Sequence, residues 1–406
     1  MKKIILILLL TMSSSVFAEA AFDGVNTQIG VGFANLGSEN NWPEYGPGYE
    51  YKYGEKGIIG NFSLGYSHKL DNQFNIAANA FYTFGSNKSG GRPDDDNTIY
   101  KTNDIWGVVL EPGYYFSENT LGFLKLGYAR ASSEFIDTLS SSRYGNSNGF
   151  LYGLGFKQSL QSHFYFGAET YRINFSKSDT VYNADYGNTN NTPSITYGGI
   201  MLGYNFGSDN IYVSNTIHNP GAFNGINAQF VTGFAEKSSR SDWPDGGESD
   251  RYDVSDKGGL SNLSIGYSHN LNGQYNIAAN IFYTFGNNDA GQWRSENKAW
   301  RIKDIWGIAL EPGYYFNDSG LGYLKIGYAR GSSEYQSTGG NAYYGSTGGF
   351  LYGVGFKQLL TNNIYVGLET YQINFAKSRD VISEADYTTS NKPSLTYGGV
   401  MIGCKF

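Results

Sequence analysis

Only one cysteine, Cys404, and four histidines occur in 406 residues. A lone cysteine excludes an intrachain disulfide, and its plainest reading is a small apolar side chain near the chain end. Basic residues are nowhere concentrated and the formal charge is −7, which argues against nucleic acid as a partner. Beyond residue 20 no apolar run approaches the ~18 residues of a membrane-spanning helix. A membrane role must therefore come from strands. No metal or cofactor ligand set is read from the chain.

What the chain has in quantity is glycine, 55 residues, and aromatics, 35 Tyr and 26 Phe. That mixture disfavours helices and favours pleated, half-buried strands. A mean hydropathy of −0.40 beside so many aromatics implies interleaving of apolar and polar residues. The N-terminus reads as an address: Lys2 and Lys3, an apolar stretch Ile4 to Leu10, then Ser13 to Ser15 and small residues before a break after Ala18 or Ala20. Residues 1–20 are expected to be a cleaved secretory signal peptide.

The second half repeats the first at an offset of 200 or 201. Gly65 to Gly85 matches Gly266 to Gly286 at 16 of 21 positions, and Asp104 to Phe116 matches Asp304 to Phe316 at 11 of 13. Similarity this dense implies a duplication, with one repeat over 21–206, a linker over 207–225 and a second repeat over 226–406. The period is far longer than solenoid or propeller repeats, so each copy should be a whole structural unit.

Period-2 alternation gives eight strands per copy. In the first they lie near 25–36, 57–70, 73–86, 103–116, 120–132, 149–161, 163–176 and 193–206. Short turns near Asp71, Glu118 and Ser162 alternate with polar loops over 37–56, 87–102, 133–148 and 177–192. That rhythm is the signature of an outer-membrane barrel. Trp106, Leu110, Leu124, Leu126, Tyr152 and Phe156 share the lipid-facing parity, and Gly107, Lys125, Gly153 and Lys157 the inward one. Tyr, Phe and Trp at strand ends form interfacial girdles. The expected fold is all-β, a transmembrane antiparallel β-barrel of two eight-stranded repeats, because lipid admits strands only as closed sheets.

Closure has two solutions: two eight-stranded barrels, or one sixteen-stranded barrel. The joining segment 207–225 is long where other connections on that side are tight turns. Inward positions are dominated by Gly, Ala and Ser, as in a narrow filled barrel. Both favour two barrels.

The signal peptide, the eight strands, the loop rhythm and the terminal strands Thr196 to Phe206 and Thr396 to Phe406 together resemble the small OmpA/OmpX-type and opacity-type outer-membrane barrels. The resemblance implies outer-membrane localisation in a Gram-negative envelope. It also implies membrane lipid and lipopolysaccharide as surroundings, and recognition of Phe406 by the barrel-assembly machinery. Cys404 departs from the pattern where Tyr204 keeps an aromatic.

The inward charges are Glu111, Lys125, Lys157 and Glu169, repeated as Glu311, Lys325, Lys357 and Glu369. Two acids and two bases balance in each copy, and strand adjacency pairs Glu111 with Lys125 and Lys157 with Glu169. They read as ion pairs filling the lumen, or as the lining of an ion-selective channel. Asp94 to Asp96 reads as a solvated loop. Trp42 and Trp243, each before proline, read as tryptophans packing over the barrel rim. His68 and His269 fall on the lipid-facing parity near short turns, an interfacial position and not a catalytic one. No histidine has a serine two residues on, as lipid A deacylase-type barrels would show. Three functions follow: a non-enzymatic envelope or adhesion protein, a sixteen-stranded diffusion porin, or a lipid-modifying barrel enzyme. The first is the expectation from sequence.

Overall fold

The computed structural model describes residues 21–43, 50–71, 73–92, 98–137, 141–160, 163–183, 187–207, 221–244, 250–294 and 297–406. The segments 1–20 and 208–220 lie outside them, and so do the proposed signal peptide, most of the linker and Asp94 to Asp96. The described structure is strand almost throughout. No helix is long and apolar enough to cross a membrane, which says nothing of a β-barrel.

The first half holds β1 (Gly24–Asn41), β2 (Glu50–Lys69), β3 (Phe74–Gly85), β4 (Lys88–Arg92), β5 (Thr98–Ser117), β6 (Thr120–Ile136), β7 (Ser141–Ser159), β8 (Phe164–Phe175), β9 (Val181–Asn183) and β10 (Gly187–Asn205). The second half repeats the order as β11 (Gly225–Trp243), β12 (Asp250–Asn270), β13 (Tyr275–Gly286), β14 (Asp289–Trp293), β15 (Lys298–Asn317), β16 (Gly320–Gln336), β17 (Ala342–Leu359), β18 (Ile364–Phe375), β19 (Val381–Ile382) and β20 (Thr388–Lys405). All ladders between neighbours are antiparallel.

In β1, Ile29 stands opposite Phe62 of β2 on one side and Leu202 of β10 on the other. In β11, Phe230 stands opposite Leu263 of β12 and Ile402 of β20. The ladders of each half therefore return to that half's own first strand, and every backbone edge at membrane depth is paired. The short β4, β9, β14 and β19 ride on the hairpins at one end.

Side-chain parity follows the sequence. Trp106, Leu110, Leu124 and Leu126 are exposed on the outer face, while Lys125 and Lys157 are buried in the lumen. Phe156 has the outward parity but is covered by the other half. Phe74, Tyr66 and Tyr114 belt the short-turn end, and Tyr82, Phe84 and Trp106 the opposite end.

The strands run well beyond that upper belt, which corrects the expectation of four long irregular loops. A 20-residue strand such as β2 or β5 extends about 65 Å at ~3.3 Å per residue. Only ~9–11 tilted residues are needed to cross the bilayer. Residues 50–56 of β2 and 98–102 of β5 simply keep pairing above the lipid. The mixed polar and aromatic residues there are half-buried or buried, and their composition does not end the ladder. A register shift between Asn103 and Trp106, and again between Lys303 and Trp306, marks where β5 and β15 leave the upper belt. Asp104 and Asp304 take φ of 50° and 53° at these bulges, a conformation Asp tolerates better than most residues.

The two rings of strands touch reciprocally. Phe156 stacks on Phe356 with ring centroids 4.3 Å apart. Phe33 meets Tyr352 edge-on at 5.8 Å, and Tyr152 meets Phe234 edge-on at 5.8 Å. A Cβ at Gly198 would strike the Thr370 hydroxyl, and a Cβ at Gly398 the Thr170 hydroxyl. Close approach is thus licensed by one glycine on each side. Above the belt the contact turns polar. Lys52 pairs with Asp256 at 3.0 Å and Arg240 with Glu55 at 3.6 Å. Arg172 donates to the Gly258 carbonyl at 3.3 Å and also to the Ala235 carbonyl. Burial, reinforced by the Asp253 carboxylate, pushes Glu55 above the usual carboxylate range, against the pull of Arg240. Single bridges join Tyr51 to Trp293, Tyr53 to Val254 and Gly91 to Asp253.

Candidate functional site: a filled lumen beneath an aromatic mouth

At mid-depth each lumen holds four charged side chains. Lys125 Nζ lies 2.6 Å from Glu169 Oε2 and 3.4 Å from Glu111 Oε1, and Lys157 Nζ lies 2.7 Å from Glu111 Oε2. The second ring repeats this, with Lys325 at 2.7 Å from Glu369 and 3.3 Å from Glu311, and Lys357 at 2.7 Å from Glu311. All eight residues are buried.

The Glu111–Lys125 contact matches the sequence expectation. The Lys157–Glu169 pair does not: Lys157 reaches Glu111 and Lys125 takes Glu169. Both bonds join strands two apart, β5 to β7 and β6 to β8. In a narrow ring, long inward side chains cross the interior and meet beyond the adjacent strand. A charge buried with two opposite partners is satisfied, whereas a single one would be costly. Aromatic faces add to this. Lys157 lies 4.7 Å from the Phe123 ring centroid and Lys357 lies 4.6 Å from that of Tyr323, a cation–π distance. The network is formally neutral, and its side chains are buried from water.

Higher in the second ring the interior changes character. Lys237 Nζ, buried, donates to the Asn287 carbonyl at 2.6 Å and the Ile302 carbonyl at 2.8 Å. Leu36 holds the matching place in the first half. Above it a cavity of about 250 Å³ opens at the outer end, lined by aromatics Trp243, Tyr252, Trp293, Trp300, Tyr335 and Tyr387. Trp300 stands opposite Tyr335 in the β15–β16 ladder, and Tyr252 opposite Ser241 in the β11–β12 ladder. Inward parity continued above the membrane belt thus brings these rings together. Trp243 packs edge-on against Tyr335 at 5.0 Å and donates its N–H to Ser241 Oγ at 3.1 Å. Trp293 meets Tyr252 edge-on at 4.7 Å and Trp300 at 5.3 Å. Lys298 stands 5.1 Å from the Trp293 ring, and Ser337, Ser383, Gly339, Gly340 and Ala385 complete the wall.

Two polar atoms in this wall have no acceptor. Trp293 and Trp300 are 3% and 1% exposed, yet neither indole N–H has a hydrogen-bond partner. A buried unmet donor costs ~1–3 kcal/mol, and an edge-on aromatic ring is only a weak substitute acceptor.

Sequence reasoning reached Trp42 and Trp243 as rim tryptophans; Trp42 is buried against Phe135 at 5.8 Å, and Trp243 is half-buried against Tyr335. It missed Tyr252, Trp293, Trp300 and Tyr335, which fell inside presumed loops. The available signal was the difference between copies: Trp300 replaces Tyr100, and Trp293 replaces Arg92. His68 and His269 are exposed, as their parity requires.

No protein-family model matches the chain, and no curated protein matches it by sequence. Solved structures do. A FadL homologue of Pseudomonas aeruginosa aligns at 10% identity over 96% of this chain and 93% of its own, with a TM-score of 0.28. The toluene transporter TodX of Pseudomonas putida aligns at 11% over 96% and 92%, with a TM-score of 0.26. Ail, the attachment invasion locus protein of Yersinia pestis, aligns at 16% over 44% of this chain and 99% of its own, with a TM-score of 0.26. The envelope-structure or adhesion reading is corrected here. Structures aligned over nearly the whole chain include ones described as toluene transporters and monoaromatic hydrocarbon channels. The loops meant to carry adhesion are in large part paired strands. At these scores the likeness is one of architecture: the chain resembles the β-barrel proteins of the bacterial outer membrane.

Proposed function

We propose that the protein is a non-enzymatic outer-membrane protein for the passage of small solutes, with the aromatic mouth of the second ring as its capture site. The cavity above Lys237 carries this reading. It is a concave wall of rings with a few polar groups, the ordinary composition of a small-molecule site. The proposal keeps the transport function of the porin alternative without its single wide ring. Two eight-stranded barrels are supported by the ladders β1–β10 and β11–β20. A closed lumen at Lys325 then demands that passage be small and gated.

The rest of the reading follows from the chain. Residues 1–20 direct export and are removed. Residues 21–206 and 226–406 are the two barrels, joined by 207–225. Phe406 is offered to the barrel-assembly machinery, and lipid with lipopolysaccharide surrounds the outer face. The ion networks hold the lumens closed.

Liposome swelling and planar-bilayer conductance test this. The purified protein should pass small solutes slowly and conduct in small or irregular steps. Lys325→Ala with Lys357→Ala should raise flux, and Lys125→Ala with Lys157→Ala should raise it less. A stable wide pore in the unaltered protein would overturn the two-barrel closure. No flux in any of the three would overturn passage.

A further inference from the structure

We infer that Phe22 and Phe223 are stoppers of the two lumens, each able to swing out on a glycine hinge. This rests on the passage reading above and names where passage is held at the short-turn end.

The first observation is placement. Residues 21–23 and 222–224 precede β1 and β11 and lie outside the ladders. Phe22 is 2% exposed and Phe223 4%. Phe22 packs against Tyr115 and Tyr165 with ring centroids 6.0 and 5.8 Å apart, and Phe223 meets Tyr315 and Tyr365 at 6.0 and 5.8 Å. Lys157 stands 5.6 Å from the Tyr165 ring and Lys357 5.7 Å from the Tyr365 ring. Each phenylalanine therefore closes its lumen directly below the ion network. Leu121 and Met201 join the first cluster, and Leu321 and Met401 the second.

The second observation is attachment. In the first ring Asn205 Nδ2 donates to the Ala21 carbonyl at 3.5 Å, and Asp23 Oδ1 stands 3.4 Å from both the Lys69 backbone nitrogen and His68 Nδ1. In the second ring the Phe223 N–H donates to the Tyr315 hydroxyl at 3.2 Å, and Asn224 Oδ1 accepts the Asn270 N–H at 2.6 Å. The longer contacts mark the first stopper as the more loosely held.

The third is the hinge. Gly24 and Gly225 take φ of 102° and 113°, a region open to glycine and costly for other residues. Glycine at both places lets the chain turn from the strand into the lumen mouth. A short segment outside the ladders, tied by a few side-chain bonds, opens locally while the barrel stays folded.

The test is thiol labelling of the full-length protein in detergent micelles, with Cys404→Ser removing the native thiol. Met201 stands opposite Gly167, which faces Lys157, and Met401 stands opposite Gly367, which faces Lys357. Met201→Cys and Met401→Cys thus place a thiol above each stopper, and a small water-soluble methanethiosulfonate reagent reads its access. Labelling should be slow with both phenylalanines in place. Phe22→Ala should speed it at Met201→Cys at least about tenfold and leave Met401→Cys unchanged, and Phe223→Ala should do the reverse. Asp23→Ala and Asn224→Ala keep the rings and cut the tethers, and each should raise the rate in its own lumen about fivefold. The gel shift between folded and unfolded barrel checks every variant, and the tether variants carry the test if a phenylalanine variant does not fold. Fast labelling with both phenylalanines present overturns the inference, and so does an unchanged rate in folded Phe22→Ala and Phe223→Ala. Unchanged rates in both tether variants overturn the hinged motion. Faster labelling without solute flux into liposomes would instead overturn passage and leave the stoppers standing.

Discussion

Replacing Lys325 with Met removes a cation that serves two carboxylates, and the structure says which one is orphaned. Glu311 keeps Lys357 at 2.7 Å, whereas Glu369 keeps only the Tyr323 hydroxyl, at 3.2 Å. Breaking a buried ion pair from one side typically costs ~3–5 kcal/mol. With the Tyr323 hydrogen bond remaining, the lower end applies, about 3 kcal/mol. In the first ring Phe123 replaces Tyr323, so Lys125→Met leaves Glu169 without that hydroxyl. The upper end, about 5 kcal/mol, applies there. Two consequences are specific. Rescue should come from Glu369→Gln or Glu169→Gln, and not from Glu311→Gln or Glu111→Gln, because only the former remove the stranded charge. Phe123→Tyr should narrow the gap between the two rings. Urea unfolding in micelles, followed by the gel shift between folded and unfolded barrel, reads all of these. Equal costs in both rings, or double mutants that merely add, would refute the assignment of partners.

Two further predictions concern the turns and the contact between rings. Asp71 Oδ1 accepts the backbone N–H groups of Gln73 and Phe74, both at 2.7 Å, and these bonds hold its carboxyl below the usual range. A depressed acid stabilises above its unfolded pKa and loses that contribution as pH falls through the folded one. The protection of the Phe74 amide, its exchange rate relative to the intrinsic rate at each pH, should therefore fall on acidification, whereas that of Tyr275, bonded to the neutral Asn272 at 3.3 Å, should not change; equal changes would refute the turn argument. Gly198→Leu with Gly398→Leu should separate the rings in micelles, seen as longer spin-label distances between them, while either change alone leaves the reciprocal contact in place. Unchanged distances in the double variant would show that these glycines do not set the approach.

Much of this fold was legible because a strand reports its two faces directly. Leu124 and Leu126 against Lys125 fix inside and outside with no knowledge of partners. The short turns at Asp71 and Glu118 fix which strands are neighbours. What stayed hidden lies where parity stops being informative. Residues 50–56 and 98–102 look like loop because their mixed polar composition masks continued pairing. The cross-lumen bonds from Lys125 to Glu169 and from Lys157 to Glu111 depend on ring diameter, which no local pattern encodes. Trp300 and Tyr335 are inward aromatics above the membrane, and in sequence they cannot be told from girdle residues until the bulge at Asp304 is placed.

The reciprocity of the inter-ring contact has a consequence for the history of the chain. A face on which Gly198 receives Thr370 while Gly398 receives Thr170 is self-complementary, the arrangement of a two-fold dimer. A polypeptide holding only one half would carry both sides of that face and could pair with its twin. Two such halves held in one chain are under no requirement to be alike. The halves do differ, with Arg172 where the other has Gln372, Lys237 where it has Leu36 and Trp300 where it has Tyr100. A chain that holds both halves can carry Trp293 and Trp300 in one and Arg92 and Tyr100 in the other, a difference that a symmetric pair of identical subunits cannot hold.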